Sequence, residues 1–333
     1  MAVNKHYDPS VDYSRYPTLA PIPRPFLRCT HCGGTNFGFL LPGLKPLCKG
    51  CGRELKLAVT EGKKHQARRT RIPFCQGHIH TVALRSDGTV RAMGNNEHGQ
   101  CNIAGWNGIT AATVGHFHTV GLRSDGTVQA IGSNQYGQCD TSDWNGISAI
   151  AVGAYHTVGL LSDGTVRAVG SNSAGQCKLD KWTNITAIAV GDALTVGLRS
   201  DGTVRAVGFP SWKINVQDWT NISAISACHM HIVGLRSDGT ELTTGLDDKG
   251  QCDVRNWTSI TTVVAGGKHT VGLRSDGTVL AVGDNSSKQC NVKNWTDIID
   301  IWAGSNCTAA MRRDGTLLCT DRNTLKWLQK ALA

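Results

Sequence analysis

Four cysteines near the N-terminus have the spacing of a metal site. Two residues separate Cys29 from Cys32, fifteen residues follow, and the two-residue spacing recurs at Cys48 and Cys51. Four thiolates at this spacing bind Zn²⁺ tetrahedrally and leave no open coordination position, so such a site is structural and not catalytic. A redox-active cysteine pair and chance spacing are the alternatives. The sequence therefore predicts one structural zinc ion on these four ligands.

Positive charge is concentrated in the same part of the chain. Residues 1–71 contain 13 Lys or Arg and 4 Asp or Glu, whereas residues 72–333 contain 21 of each sign. The clustered basic side chains of the segment before the repeats are Lys63, Lys64, Arg68, Arg69 and Arg71. Such a cluster suits phosphates or an acidic protein surface. Nucleic acid or ribonucleoprotein binding, an acidic protein partner and a merely solvated linker all stay open.

Histidine and cysteine also recur after residue 72, but at fixed positions of a repeat. The recurring residues are His80, His118, His156, His231 and His269, and Cys101, Cys139, Cys177, Cys252 and Cys290. One such residue per repeat indicates a structural role, because no base stands at a consistent distance from a nucleophile. The sequence contains no nucleotide-binding glycine loop, Ser/His/Asp constellation or paired-carboxylate motif. We therefore expect a protein that is not an enzyme.

The repeat is marked by an Asp-Gly pair that occurs seven times, at intervals of 37 or 38 residues. The aspartates are Asp87, Asp125, Asp163, Asp201, Asp238, Asp276 and Asp314. Each unit predicts four short strands, A to D, with the Asp-Gly pair as the tight turn between B and C. No helical period of apolar residues competes with this interpretation. The sequence thus predicts an all-β, seven-bladed propeller of four-stranded repeats, which leaves few exposed strand edges.

The position of the repeats also predicts how the rest of the chain is organised. The predicted organisation is an extended segment with Pro and Tyr (1–28), a zinc-binding module (29–60), a basic linker (61–71), the propeller (72–320) and a C-terminal helix or tail (321–333). The last repeat lacks a D strand and continues into a segment that predicts a helix from Asn323 or Thr324. A strand within residues 54–60 is a hypothesis for the missing closing strand.

Antiparallel strands place the A–B and C–D loops on one face of the propeller and the B–C turns and D–A segments on the other. The second face, called the turn face below, carries SDGT and one Trp per repeat, whereas the first, the variable face, differs between repeats. Positions that vary between blades are free to specify a partner, and this face is rich in interface-forming side chains. The candidate partner-binding residues are His78, His98, His116, Phe117, Tyr136, Tyr155, Trp212 and Met230.

The phrases GxxHT, SDGT and GxNxxGQ resemble the repeats of the regulator of chromosome condensation family, over about three quarters of the chain. The resemblance implies a seven-bladed propeller, and the short units are most similar to those of the bacterial type II β-lactamase inhibitor protein. In that inhibitor, aromatic loop residues on one face contact the target enzyme. The family also includes nucleotide exchange factors with an inserted β-wedge, for which these short intervals leave no room. The four-cysteine module resembles a zinc ribbon.

Composition and motifs together favour a binding protein. With 40% hydrophobic and 18% charged residues and no apolar run of membrane-spanning length, the chain predicts a globular protein in solution. Its 13 Cys do not form a secreted disulfide pattern, so we expect a cytoplasmic location. The predicted function is a non-enzymatic macromolecular scaffold that recognises a protein partner. The alternatives are a nucleic-acid- or ribonucleoprotein-associated protein that binds through its N-terminal region, and an enzyme inhibitor or regulator.

Overall fold

The computed structural model describes residues 74–76, 79–208 and 214–332, with only the backbone of 74–76. These residues form seven antiparallel sheets and one helix. Each sheet contacts the next one along the chain, and the last sheet contacts the first, so the sheets form a closed ring. This arrangement confirms the predicted seven-bladed propeller.

Each blade has three strands in chain order. The A strands are β1 (Phe74–Gln76), β4 (Ile109–Val114), β7 (Ile147–Val152), β10 (Ile185–Gly191), β13 (Ile222–Cys228), β16 (Ile260–Ala265) and β19 (Ile298–Ala303). The B strands are β2 (His80–Leu84), β5 (His118–Arg123), β8 (His156–Leu161), β11 (Leu194–Arg199), β14 (His231–Arg236), β17 (His269–Arg274) and β20 (Thr308–Arg312). The C strands are β3 (Val90–Gly94), β6 (Val128–Gly132), β9 (Val166–Gly170), β12 (Val204–Gly208), β15 (Glu241–Gly245), β18 (Val279–Gly283) and β21 (Leu317–Cys319).

The hydrophobic core lies between neighbouring blades. The central B strands carry apolar or hydrogen-bonded side chains on both faces and are buried along most of their length. One typical cluster joins Val82 and Leu84 of blade 1 to Ile109 of blade 2, with Ile103 from the segment between the blades. Because each blade buries its apolar face only against its neighbours, the stability of each blade depends on the closed ring.

The predicted fourth strand is wrong for blades 1, 2, 3, 5 and 6, because turns replace it. In blade 1 the side-chain oxygen of Asn96 accepts the backbone N–H of Cys101 at 2.8 Å, and Gln100 Oε1 accepts that of His98 at 2.9 Å. The N–H of Ile103 is bound to the Cys101 carbonyl. These local bonds use the donors that a strand ladder needs, so the segment after C cannot add a strand.

The turn face is repetitive because its loops connect the blades. In each SDGT turn the aspartate Oδ1 accepts the N–H of the threonine two residues later, as Asp125 does from Thr127 at 2.9 Å. The following glycine has positive φ, 82° at Gly126, and its carbonyl accepts the N–H of Ile147, where the next A strand begins. A side chain at Gly126 would also lie against that next strand. Both contacts explain why the turn sequence repeats in every blade.

The C-terminal helix α1 (Arg322–Leu332) confirms the predicted helix and begins one residue before the predicted start. Asp321 caps it, because its Oδ2 accepts the N–H of Thr324 at 2.7 Å. Leu328 and Ala331 pack with Ala83 of blade 1 and with blade 7, and Arg85 Nε donates to the Ala331 carbonyl. The helix therefore fills the gap between the last blade and the first. The hypothesised closing strand at 54–60 lies outside the described residues.

The N-terminal predictions, including the zinc ligands, the extended segment and the basic linker, also lie outside the described residues. Within the part that is described, no helix has the length and apolar character required to cross a membrane.

Candidate protein-binding face

The A strands surround a central channel. Residues of β4, β7, β10 and β13, with Ala265 and Ala303 of the next two A strands, line a cavity of about 310 Å³. Much of the lining is small or aliphatic, as at Ala151 and Ala189. The A–B loops stand around the mouth of this channel, so the candidate binding face and the channel share one opening.

A chain of backbone hydrogen bonds holds the loops at the mouth. In blades 2, 3 and 4 the first A–B loop position donates its N–H to the carbonyl of the same position in the next blade: His116 to Ala154, Ala154 to Asp192, and Asp192 to His229. Residues that lie one repeat apart in the sequence are therefore neighbours at the channel mouth. The backbone bonds fix the positions of these four residues at the mouth, so the loops differ there in their side chains.

Asp192 joins two histidines of other blades at the mouth. Its Oδ1 lies 3.6 Å from Nε2 of His116 in blade 2, and its Oδ2 contacts Nδ1 of His229 in blade 5 at 2.5 Å. Burial alone would raise the pKa of Asp192, but the hydrogen bonds from His116 and His229 outweigh burial and hold it well below its usual range. The hydrogen bond to Asp192 in turn raises the pKa of His229. An anionic carboxylate is thereby fixed at the channel mouth.

Next to this group, five rings from blades 1 to 3 form a continuous cluster. Phe117 and Tyr155 stack with centroids 6.0 Å apart, and His116 contacts both rings edge to face. His98 adds an edge contact to Phe117 at 5.2 Å, and Tyr136 adds one to Tyr155 at 5.4 Å. Tyr136 and Tyr155 are 49% and 36% exposed, so the cluster presents aromatic surface to solvent. We call these five residues the aromatic cluster.

The structure thus brings together five of the eight predicted partner-binding residues. Met230 lies half-buried in the A–B loop of blade 5, three blades from Phe117. His78 and Trp212 fall outside the described residues. Sequence reasoning missed Asp192 and His229, although both occupy the loop position already considered for His116. The available signal was that four titratable residues, His78, His116, Asp192 and His229, share one position of the repeat.

The recurring histidines have a structural role, as predicted, and each contacts a threonine hydroxyl of the next blade. His80 Nε2 lies 2.9 Å from Thr119 Oγ1 of the next blade, and that hydroxyl donates to the Gln100 carbonyl at 2.7 Å. Because the hydroxyl proton is already used, the histidine Nε2–H must be the donor. Four further pairs repeat the contact: His118–Thr157, His156–Thr195, His231–Thr270 and His269–Thr308.

In blade 4, both residues of this histidine–threonine contact are replaced together. Leu194 replaces the histidine there, and Ile232 replaces the threonine of blade 5 that would receive its hydrogen bond. Both side chains are buried and belong to one apolar cluster. The hydrogen-bonded pair is therefore exchanged as a unit for an apolar pair.

The recurring cysteines are half-buried thiols, less buried than predicted. The Sγ of Cys139 donates to the carbonyl of Ser133 at 3.4 Å, and burial raises its pKa to about 11. Cys177, Cys252 and Cys290 have the same carbonyl contact and similarly raised pKa values. These groups remain protonated at neutral pH and are poor nucleophiles. Within the described ranges no group of three His, Cys, Asp or Glu side chains is placed to bind a metal ion.

Comparisons with solved structures place the fold among known propellers. Prp20p of Saccharomyces cerevisiae is 17% identical, with a TM-score of 0.59, over 72% of this chain and 82% of that one. Human WBSCR16 is 16% identical, with a TM-score of 0.59, over 74% and 88% of the two chains. The ectodomain of the Arabidopsis thaliana receptor kinase ACR4 is 17% identical, with a TM-score of 0.57, over 74% and 96%. Identities this low show the shared fold alone.

Sequence comparison identifies the repeat itself. Residues 79–100, 109–138, 147–176 and 260–289 match the regulator of chromosome condensation (RCC1) repeat. A search of curated protein sequences gives no significant match. The matched ranges lie in blades 1, 2, 3 and 6, and the other three blades have the same strand order and Asp-Gly turn. Four of the seven repeats therefore match the RCC1 repeat, and all seven form one seven-bladed propeller.

Proposed function

We propose that this chain is a non-enzymatic binding scaffold that recognises a protein partner through the variable face of its propeller. The aromatic cluster at the channel mouth carries this proposal. Exposed Tyr and Phe rings supply contact area at low cost in side-chain entropy, and they are enriched where protein interfaces gain most of their binding energy. The turn face has little freedom to vary, because its Asp-Gly turns are used to connect blades.

The solved relatives support a binding role for such a propeller. The structure of Prp20p is described with binding properties to Gsp1p and histones. A second structure shows the yeast protein bound to Kap60 and is 19% identical over 63% of this chain. The shared fold suits protein recognition, but identities of 17% and 19% do not carry a partner over to this chain. The partner must therefore be sought with this protein itself.

The first test substitutes both exposed tyrosines in the full chain. We expect Tyr136→Ser/Tyr155→Ser to weaken binding of the principal co-purifying protein by about 30-fold or more, because truncated interface aromatics are typical hot spots. The measurement is affinity purification from the source cell with nuclease treatment, followed by titration of the recovered partner.

Ile299→Ser is the matched control. Ile299 is as exposed as Tyr136, at 49%, and lies near the start of β19, toward the turn face. Its substitution removes a similar apolar area but should leave binding unchanged. Equal loss in both variants, or no loss in the tyrosine variant, would contradict recognition by the aromatic cluster.

The N-terminal module is proposed to bind one structural zinc ion through Cys29, Cys32, Cys48 and Cys51, and to serve as a tether or second contact. All four donors are thiolates, so the metal would contribute to folding of this small segment and not to catalysis. We expect one zinc per chain by elemental analysis, and its loss in Cys48→Ser. The control is Cys177→Ser, since Cys177 is a half-buried propeller thiol bonded to a carbonyl. Full zinc content in Cys48→Ser would overturn the assignment.

The excess of nine positive charges in residues 1–71 supports a second candidate, in which the N-terminal region binds nucleic acid or ribonucleoprotein. Phosphate contacts release counterions, so such binding weakens steeply with added salt. Partners that disappear with nuclease treatment or with deletion of residues 1–71 would favour this candidate. Partners that survive both treatments but are lost with the tyrosine substitutions would favour the propeller.

A further inference from the structure

The charge around the aromatic cluster indicates what kind of protein surface fits it. The variable-face loops of blades 1 and 2 contain two carboxylates, Glu97 and Asp140, and no Lys or Arg. Both carboxylates are exposed. Asp140 lies in the same loop as Tyr136 and accepts a hydrogen bond from Asn134 at 2.7 Å, which fixes its position. The aromatic part of the variable face is thus also its acidic part.

A third carboxylate stands where the cluster meets the channel. Asp192 has a side chain 24% exposed and is held by His229 and His116, and His116 also contacts Phe117 and Tyr155. The carboxylate is therefore connected to the aromatic rings through one side chain. Its low pKa, which follows from its two histidine contacts despite burial, keeps it anionic over the physiological range.

The opposite half of the variable face differs. Blades 5 and 6 mix charges of both signs in their loops, and Lys268 Nζ pairs with Asp248 Oδ2 at 3.0 Å. Asp247, Lys249 and Lys288 are also exposed in these loops. That half neutralises its own carboxylates, whereas Glu97 and Asp140 have no basic residue in the variable-face loops of their own blades. The acidic loops without a basic residue are therefore those of blades 1 and 2, since blade 3 has the exposed Lys178 at the repeat position of Asp140.

We propose that the aromatic cluster binds a basic segment of the partner protein, with an Arg or Lys side chain stacked on Tyr136 and Tyr155 and further cations facing Glu97 and Asp140. This inference rests on the proposed function, since it names the partner of the same face. Cations are attracted to the faces of aromatic rings, and guanidinium groups stack on them while donating to carboxylates. The same carboxylates repel phosphates, which disfavours nucleic acid at this face.

The test selects ligands from a display library of random twelve-residue peptides on the immobilised full chain. Only peptides whose capture is lost in Tyr136→Ser/Tyr155→Ser are analysed, so that ligands of the basic N-terminal region are set aside. We expect these peptides to be enriched in Arg and Lys, with a net positive charge. Synthetic copies should bind Glu97→Lys about five- to tenfold more weakly.

Asp218→Lys is the matched control, because it makes the same charge change at an exposed position on the turn face and should leave the affinity unchanged. Thermal midpoints of all variants verify the fold, which exposed substitutions should preserve. If the tyrosine-dependent peptides are neutral or acidic, the basic-segment proposal is wrong while the binding face stands. If no peptide depends on the tyrosines, both proposals fail.

Discussion

Lowering the pH from 7 to 5 is expected to reduce the free energy of unfolding of the propeller by several kcal/mol. The cause is the ring of buried histidines, whose burial lowers their pKa to about 4 in His80, His156, His231 and His269 and to about 3 in His118. The unfolded chain takes up protons at these histidines below about pH 6.5. The folded chain does not until about pH 4, so protons favour unfolding throughout that window.

The magnitude follows from the number of groups. Each histidine contributes at most about 1.4 kcal/mol per pH unit between the two pKa values. The His229–Asp192 pair acts in the opposite direction. Because the hydrogen bond to Asp192 raises the pKa of His229, its contribution is full below the ordinary histidine pKa and declines as the pH rises through the raised value. Glu241 also acts in this direction, because burial raises its pKa to about 7 and the folded chain then binds a proton that the unfolded chain does not. These two groups oppose five histidines, so the net effect on acidification is destabilising.

Denaturant titrations of the full chain at pH 7.5, 6.5, 5.5 and 5.0 measure the effect. The control variant His156→Leu/Thr195→Ile copies the apolar pair that blade 4 already has at Leu194 and Ile232. It removes one of the five buried histidines, so the part of the pH dependence that these histidines cause should be smaller by about one fifth. A denaturation midpoint that stays constant between pH 7.5 and 5.0 would show that the histidines are protonated without cost, contrary to their burial.

The blade number, the two faces and the terminal helix were predictable because they depend on repetition and local pattern. The Asp-Gly turns give the blade count, and antiparallel connection alone assigns Phe117 and Tyr155 to one face. The missing D strand was not predictable in this way. The strand is prevented by the hydrogen bonds that Asn96 and Gln100 accept from neighbouring backbone N–H groups. The sequence shows that these amide side chains are present, but it does not show which N–H groups they bind.

Some contacts of the candidate site could also be predicted from the sequence, and others could not. Contacts between adjacent loops, such as that of Tyr136 with Tyr155, follow from the order of blades once the face is known. The contact of His116 with Asp192 does not, because these residues belong to blades 2 and 4. Their approach depends on the width of the channel mouth and on the size of Ala154 between them. Such distances are set by packing of the closed ring, which no single repeat encodes.

The second large effect is expected for Gly197→Ala in β11. A Cβ on Gly197 would lie 2.6 Å from Cζ3 of Trp182 and 3.1 Å from Cδ1 of Ile185, so the tryptophan must move. Trp182 is only 4% exposed and packs with Val158 and Leu160 of blade 3 and Ile185 of blade 4. Overfilling a packed core in this way costs about 2–3 kcal/mol. The measurement is the free energy of unfolding from denaturant titration of the full chain.

A double-mutant cycle tests the cause of that loss. Trp182→Leu alone should also destabilise the propeller, because it leaves a cavity between blades 3 and 4. In the double variant Gly197→Ala/Trp182→Leu, however, the added methyl group enters the space that the indole leaves, so the combined loss should be smaller than the sum of the two. Blades 1 and 7 have alanine at this strand position. Ala83 faces helix α1 with no preceding repeat tryptophan, and Ala310 shares a cluster with Trp295, which is less buried than Trp182. Additive losses would mean that Gly197 is required for its backbone and not for the approach of Trp182.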